Sequence, residues 1–109
     1  MDQALRGMLI AVARNQQTTT YSEVAITCGL EVREPELARR LDEISTHEHC
    51  GERPLLSVVV VHQDGDRMPG AGFFRLAREL GVQTRRADNI VFFAQELRRC
   101  WELWGANRD

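Results

Sequence analysis

Leu55-Leu56-Ser57-Val58-Val59-Val60-Val61 is apolar except for Ser57 and is bounded by Gly51 and Pro54 before it and by His62 after it. Its four consecutive valines are stiff at χ1 and favour a pleated backbone. The run is too short for a lone buried helix, so the pattern predicts a strand over Leu55 to Val61. A buried strand among amphipathic helices makes the chain a mixed α/β protein of the α+β kind.

Upstream, the spacing predicts helices. Leu5, Met8, Leu9 and Val12 fall at i, i+3, i+4 and i+7, one face of a helix from Asp2 to Asn15 with Asp2 as its cap. Gln16 to Thr19 interrupts it with polar and β-branched residues and reads as a connector or a very short strand. Thr20 followed by Glu23 matches the capping box, and the helix it opens, Tyr21 to Cys28, turns Val24 and Ala25 inward and stops at Gly29. Pro35 opens a third helix with Leu37, Leu41 and Ile44 on one face. A helix, a short capped helix, a glycine-containing turn and a third helix form a helix-turn-helix outline, with a turn from Gly29 to Glu34.

Downstream, His62 to Gly72 is a loop rich in Asp, Gly and Pro. Phe73, Leu76, Ala77 and Leu80 have helical spacing, and Gly81 stops that helix. Ile90, Phe93, Ala94, Leu97, Trp101 and Trp104 trace a face of a C-terminal helix capped by Asp88. The arc is wide for a small domain, so part of it is expected to be a partner surface or a homodimer contact. The whole reads as one domain over 1–109, a helix-turn-helix part at about 2–50 and a strand, loop and C-terminal helices at about 54–105.

Composition narrows the function classes. A net charge of −2 gives no general attraction to nucleic acid or to acidic membranes, so any such partner needs a local basic patch. All fourteen basic residues are Arg. Arginine suits forked contacts to phosphate, but so uniform a preference points to genome composition and marks no site. Cys28, Cys50 and Cys100 are odd in number and lack a CxxC pair, the pattern of reduced thiols in a cytoplasmic protein. Neither a signal peptide nor a membrane span is expected, since no apolar run approaches about 18 residues.

Three constellations hold chemistry-bearing residue types. His47, Glu48, His49 and Cys50 are dense in metal-ligand types, with His62 as the nearest further imidazole. Two histidines two apart diverge on a helix, so a solvated helix end is expected and no metal or cofactor. Ser57, His62 and Asp64 are the residue types of a nucleophilic triad, but the exposed serine elbow is missing and Ser57 lies between apolar neighbours. Asp64 and Asp66 read as a turn. Gly70-Ala71-Gly72 precedes a helix without matching a dinucleotide or P-loop fingerprint, and its free N–H groups make it a possible anion-binding loop.

Thr18-Thr19-Thr20-Tyr21-Ser22-Glu23-Val24-Ala25 resembles the Thr-Thr-Tyr-Gly-Glu-Val-Ala signature of the alkylguanine-DNA alkyltransferase and alkyltransferase-like family. Glu36 to Leu41 stands where that family has its arginine-bearing recognition helix. Pro54 followed by Val58-Val59 is similar to its Pro-Cys-His-Arg-Val-Val segment, and Asp64-Gly65, Gly70 to Leu80 and Gly81-Val82 to its closing loop and helix. In order and spacing the likeness runs from about Met8 to Val82. It implies a winged-helix-like DNA-binding fold in which Tyr21 contacts or displaces a phosphate, Arg39 or Arg40 enters the duplex and Arg33 adds a backbone contact. Leu55 stands where the family carries its alkyl-accepting cysteine, so alkyl transfer is not expected. Alkyltransferase-like proteins also lack that cysteine and act by binding.

Charge runs against α-helical recognition at that place. Glu31 to Arg53 carries seven acids against four arginines, which would repel a phosphate backbone. Arginines are richer later, at Arg75, Arg78, Arg85, Arg86, Arg98 and Arg99, so a phosphate footprint, if there is one, is expected there. The expectation is a non-enzymatic winged-helix-like module binding duplex DNA. The alternative is a protein-interaction module, an adaptor or a homodimer through the C-terminal helix.

Overall fold

The computed structural model describes residues 1–105. Five α-helices surround the 55–61 segment: α1 (Gln3–Arg14), α2 (Tyr21–Cys28), α3 (Pro35–Cys50), α4 (Ala71–Glu79) and α5 (Asn89–Gly105). Two short strands, β1 (Thr19–Thr20) and β2 (Val60–Val61), pair in parallel with Thr19 opposite Val60 and Thr20 opposite Val61. The class is mixed α/β, mostly helical with one two-stranded sheet. No helix among the described residues is long and apolar enough to cross a membrane.

The expected strand over Leu55 to Val61 is corrected. Leu56–Val59 is a 3-10 helix, and only Val60–Val61 is strand. The reason is a shortage of ladder partners: among the described residues the only strand alongside is two residues long. Buried backbone groups must still be satisfied. Leu55 N–H donates to the Glu96 carboxylate on α5 at 2.9 Å, Ser57 N–H to the Ser45 hydroxyl on α3 at 3.0 Å, and Val58 N–H to the Leu55 carbonyl at 3.1 Å. Side chains from two helices thus replace a neighbouring strand. Apolar contact on every side does the rest, since Leu55, Leu56, Val58, Val59 and Val60 are all wholly buried. Each such side chain is worth about 1.5–3 kcal/mol of burial.

The helix boundaries follow their local signals. Asp2 Oδ1 accepts from Leu5 N–H, and Gly29 takes the left-handed conformation (φ +70°) that ends α2. Pro35 opens α3, whose Leu37, Leu41 and Ile44 are buried. The capping box is half formed. Thr20 Oγ1 accepts from Glu23 N–H, but the Glu23 carboxylate takes the Thr19 hydroxyl at 2.6 Å instead of turning back to Thr20. Thr20 is extended and belongs to β1, so the chain enters α2 straight from the sheet.

The buried face of α5 is rotated from the expected one. Phe92, Glu96, Leu97 and Cys100 are buried, Phe93, Trp101 and Trp104 pack partly, and Ile90 and Ala94 face solvent. A face chosen by apolar count omits Glu96. That carboxylate is drawn inward because it holds Leu55 N–H, with Arg99 pairing its other oxygen at 2.7 Å.

Candidate ligand pocket and arginine surfaces

Tyr21 and the Gly70 loop meet across the fold. Gly70 N–H donates to Tyr21 Oη at 2.8 Å, joining the first turn of α2 to the entry of α4. His62, at the end of β2, lies against the same phenol with ring centroids 4.8 Å apart. Position 70 is tight for a side chain, because a Cβ there would stand 3.2 Å from His62 Nε2 and 3.4 Å from Tyr21 Oη. Gly72 is different. A Cβ there would come no nearer than 3.9 Å to anything, the Arg75 guanidinium.

These groups line a surface pocket of about 340 Å³. Val32, Leu37, Leu41 and Phe73 form apolar wall, and Tyr21, Asp42, Ser57, His62 and Arg75 supply polar groups. Small-molecule sites have this composition, apolar walls with a few convergent polar groups. Burial pushes the Tyr21 phenol above its ordinary pKa, the Gly70 hydrogen bond opposes this and nearby Asp42 adds to it. The phenol is therefore protonated at neutral pH. Since its oxygen already accepts from Gly70, its own hydrogen is free to donate. Asp42 is also raised, by burial first, against the pull of Arg75. The pocket offers a hydroxyl donor, a guanidinium and a carboxylate acceptor around an aromatic wall.

Ser57 and His62 share this pocket, yet they do not form a catalytic pair. The Ser57 hydroxyl is bound to the buried Ser45 hydroxyl at 2.6 Å, and no hydrogen bond links Ser57, His62 and Asp64 among the described residues. Leu55 is wholly buried in the core. His47 and Cys50 are exposed on the last turns of α3, and no three His, Cys, Asp or Glu side chains converge as a metal site among the described residues.

The other residues expected to bind lie outside the pocket. Arg33 is exposed in the turn before α3. Arg39 binds both oxygens of Glu36, at 2.6 and 2.7 Å, and reaches Glu43 at 3.5 Å. Arg40 binds Glu36 at 2.9 Å and Asp2 at 3.2 Å. These partners hold the Glu36 carboxyl down to about 2, the Arg39 hydrogen bonds first and the Arg40 bond second. The two guanidiniums are spoken for by carboxylates of this chain.

Of the later arginines, where the sequence reading puts a phosphate footprint, three gather on one surface. Arg75, Arg78 and Arg85 line a shallow concavity with Glu79, beside the pocket and sharing Arg75 with it. Asp42 is a pocket residue that sequence reading missed. Its signal is position: it follows Leu41 at the border of the apolar face of α3.

No protein-family model, curated protein or solved structure matches the chain.

Proposed function

We propose that the chain is a non-enzymatic binding module for duplex DNA, with α2, α3 and the short sheet acting as a winged-helix-like unit. The observation that carries this is the meeting of Tyr21 with Gly70 at 2.8 Å across one open pocket. These two residues belong to the opening and closing blocks of the alkyltransferase-like resemblance. Their junction makes a hollow suited to a group presented by a duplex, with a free phenolic hydrogen and the Asp42 carboxylate inside it. The core position of Leu55 and the engaged Ser57 hydroxyl favour binding over reaction.

A fluorescence-anisotropy titration of a labelled duplex at low salt tests this. Binding is expected, weakening steeply as salt rises. Tyr21→Ala is expected to lose about tenfold, within the 1–3 kcal/mol typical of an aromatic nucleic-acid contact. No association with duplex DNA at low salt contradicts the proposal.

A second reading, docking of a protein or a second copy through α5, draws on Ile90 and Val91, 63% and 53% exposed on its first turn. It predicts association that survives high salt, measured by sedimentation at several concentrations.

A further inference from the structure

We infer that the phosphate backbone is held by Arg75, Arg78 and Arg85, on α4 and the loop after it, and that Arg39 and Arg40 of α3 are not the footprint. The inference rests on the duplex-binding reading and adds where the duplex lies. Residues 67–88 carry five arginines against two acids, whereas 31–53 carry four against seven. The local arrangement sharpens that contrast. On α3, Glu36 lies three and four residues before Arg39 and Arg40, so helix geometry brings all three together. Asp42 of α3 acts on Arg75 only across the pocket, and among the described residues the one ion pair on α4 is Glu79 with Arg75, at 3.8 Å between two mostly exposed side chains. Such a pair is weak and yields readily to phosphate. Arg78 and Arg85 have no carboxylate partner among the described residues.

The loop that carries Arg85 is held in place. Val82 and Gln83 N–H both donate to the Ala77 carbonyl, folding the chain back on the end of α4. Gln83 is buried, and its side-chain amide donates to Asn89 Oδ1 at 2.7 Å and to the Ala87 carbonyl at 3.4 Å. The guanidiniums of helix and loop flank one concavity of about 460 Å³. Arg75 also lines the Tyr21 pocket, so a strand lying along Arg78 and Arg85 passes the mouth of that pocket. Phosphate contacts set the register and the pocket receives what the register presents.

The test compares two double variants of the full chain, Arg78→Ala/Arg85→Ala and Arg39→Ala/Arg40→Ala, against a labelled duplex of about two helical turns over a range of KCl. Both remove two positive charges, so a difference between them reports position and not net charge. Arg78→Ala/Arg85→Ala is expected to weaken binding at least about tenfold at low salt and to make the slope of log K against log salt shallower by about 2. Arg39→Ala/Arg40→Ala is expected to stay within about twofold of wild type, with an unchanged slope. Far-UV circular dichroism of each variant confirms the fold. Equal losses in the two variants, or a loss confined to the α3 variant, overturn the footprint while leaving duplex binding intact. Failure of the wild-type chain to bind overturns the duplex reading and this inference with it.

Discussion

The outer faces of α3 and α4 both carry arginines, and they differ in what stands one turn away. Arg39 and Arg40 look back on Glu36, and Arg40 also finds Asp2 at the start of α1. Arg78 looks back on Phe74 and Arg75, and forward on Gly81 and Val82. A guanidinium already gripped by a carboxylate must give up that bond before it can take a phosphate. A guanidinium left to water exchanges only water and counterions. Counting arginines along a helix therefore does not locate an anion surface; the acids three and four residues away on either side decide it.

The largest expected effect falls on the buried 55–61 segment, against which α3 packs directly. Glu96→Ala removes the acceptor of Leu55 N–H and strands Arg99. It is expected to cost about 2–3 kcal/mol, the range for losing a charged hydrogen-bond partner of a buried donor. Urea denaturation measures this, and a loss below about 0.5 kcal/mol would show that the 3-10 segment does not depend on that carboxylate.

Within the pocket the comparison is between two glycines. Gly70→Ala drives a methyl toward His62 and Tyr21 and is expected to weaken duplex binding about fivefold, a displacement cost of about 1 kcal/mol. Gly72→Ala makes only ordinary contact with the Arg75 guanidinium and is expected to leave affinity within about twofold. Equal effects at the two positions would remove the pocket from the binding surface.

Two smaller effects probe α3. Glu36→Gln releases its hold on Arg39 and Arg40 and, because α3 lies off the phosphate footprint, is expected to leave duplex affinity within about twofold of wild type. The titration of Glu36 itself is sharper, if silent in function. Its carboxyl is held to about 2, against an ordinary 4.5, by the hydrogen bonds from Arg39 and then Arg40. Because the folded value is depressed, the α3 network contributes above the ordinary value and is lost as pH falls through about 2. Carboxyl-detected NMR is expected to place the midpoint near 2, and a midpoint near 4.5 would mean the α3 arginines are free.

The short-range signals were readable from sequence. Asp2, Thr20, Gly29 and Pro35 each mark a helix end where the sequence places it, because capping is settled by neighbours a few residues away. Two long-range outcomes were not readable. The valine run has the composition of a strand, and its conformation was decided by the absence of a partner strand and by Ser45 and Glu96 reaching in from distant helices. The buried face of α5 was decided by the same Glu96, which an apolar pattern counts as outward. At the site, Tyr21, Gly70 and Gly72 were legible as separate candidates, and the hydrogen bond joining Tyr21 to Gly70 was not. Asp42 was hidden because a carboxylate at the edge of an apolar face looks like any solvated acid.

The most direct test of duplex binding at the Tyr21 pocket and the α4 surface is a two-dimensional ¹H–¹⁵N NMR titration of the intact chain with duplex DNA at low salt. Shifts are expected at Tyr21, at Gly70 to Gly72, at Arg75 and Arg78 and in the loop around Arg85, with Arg39 and Arg40 little moved. Shifts confined to α3, or to Ile90 and Val91 at the start of α5, would contradict it.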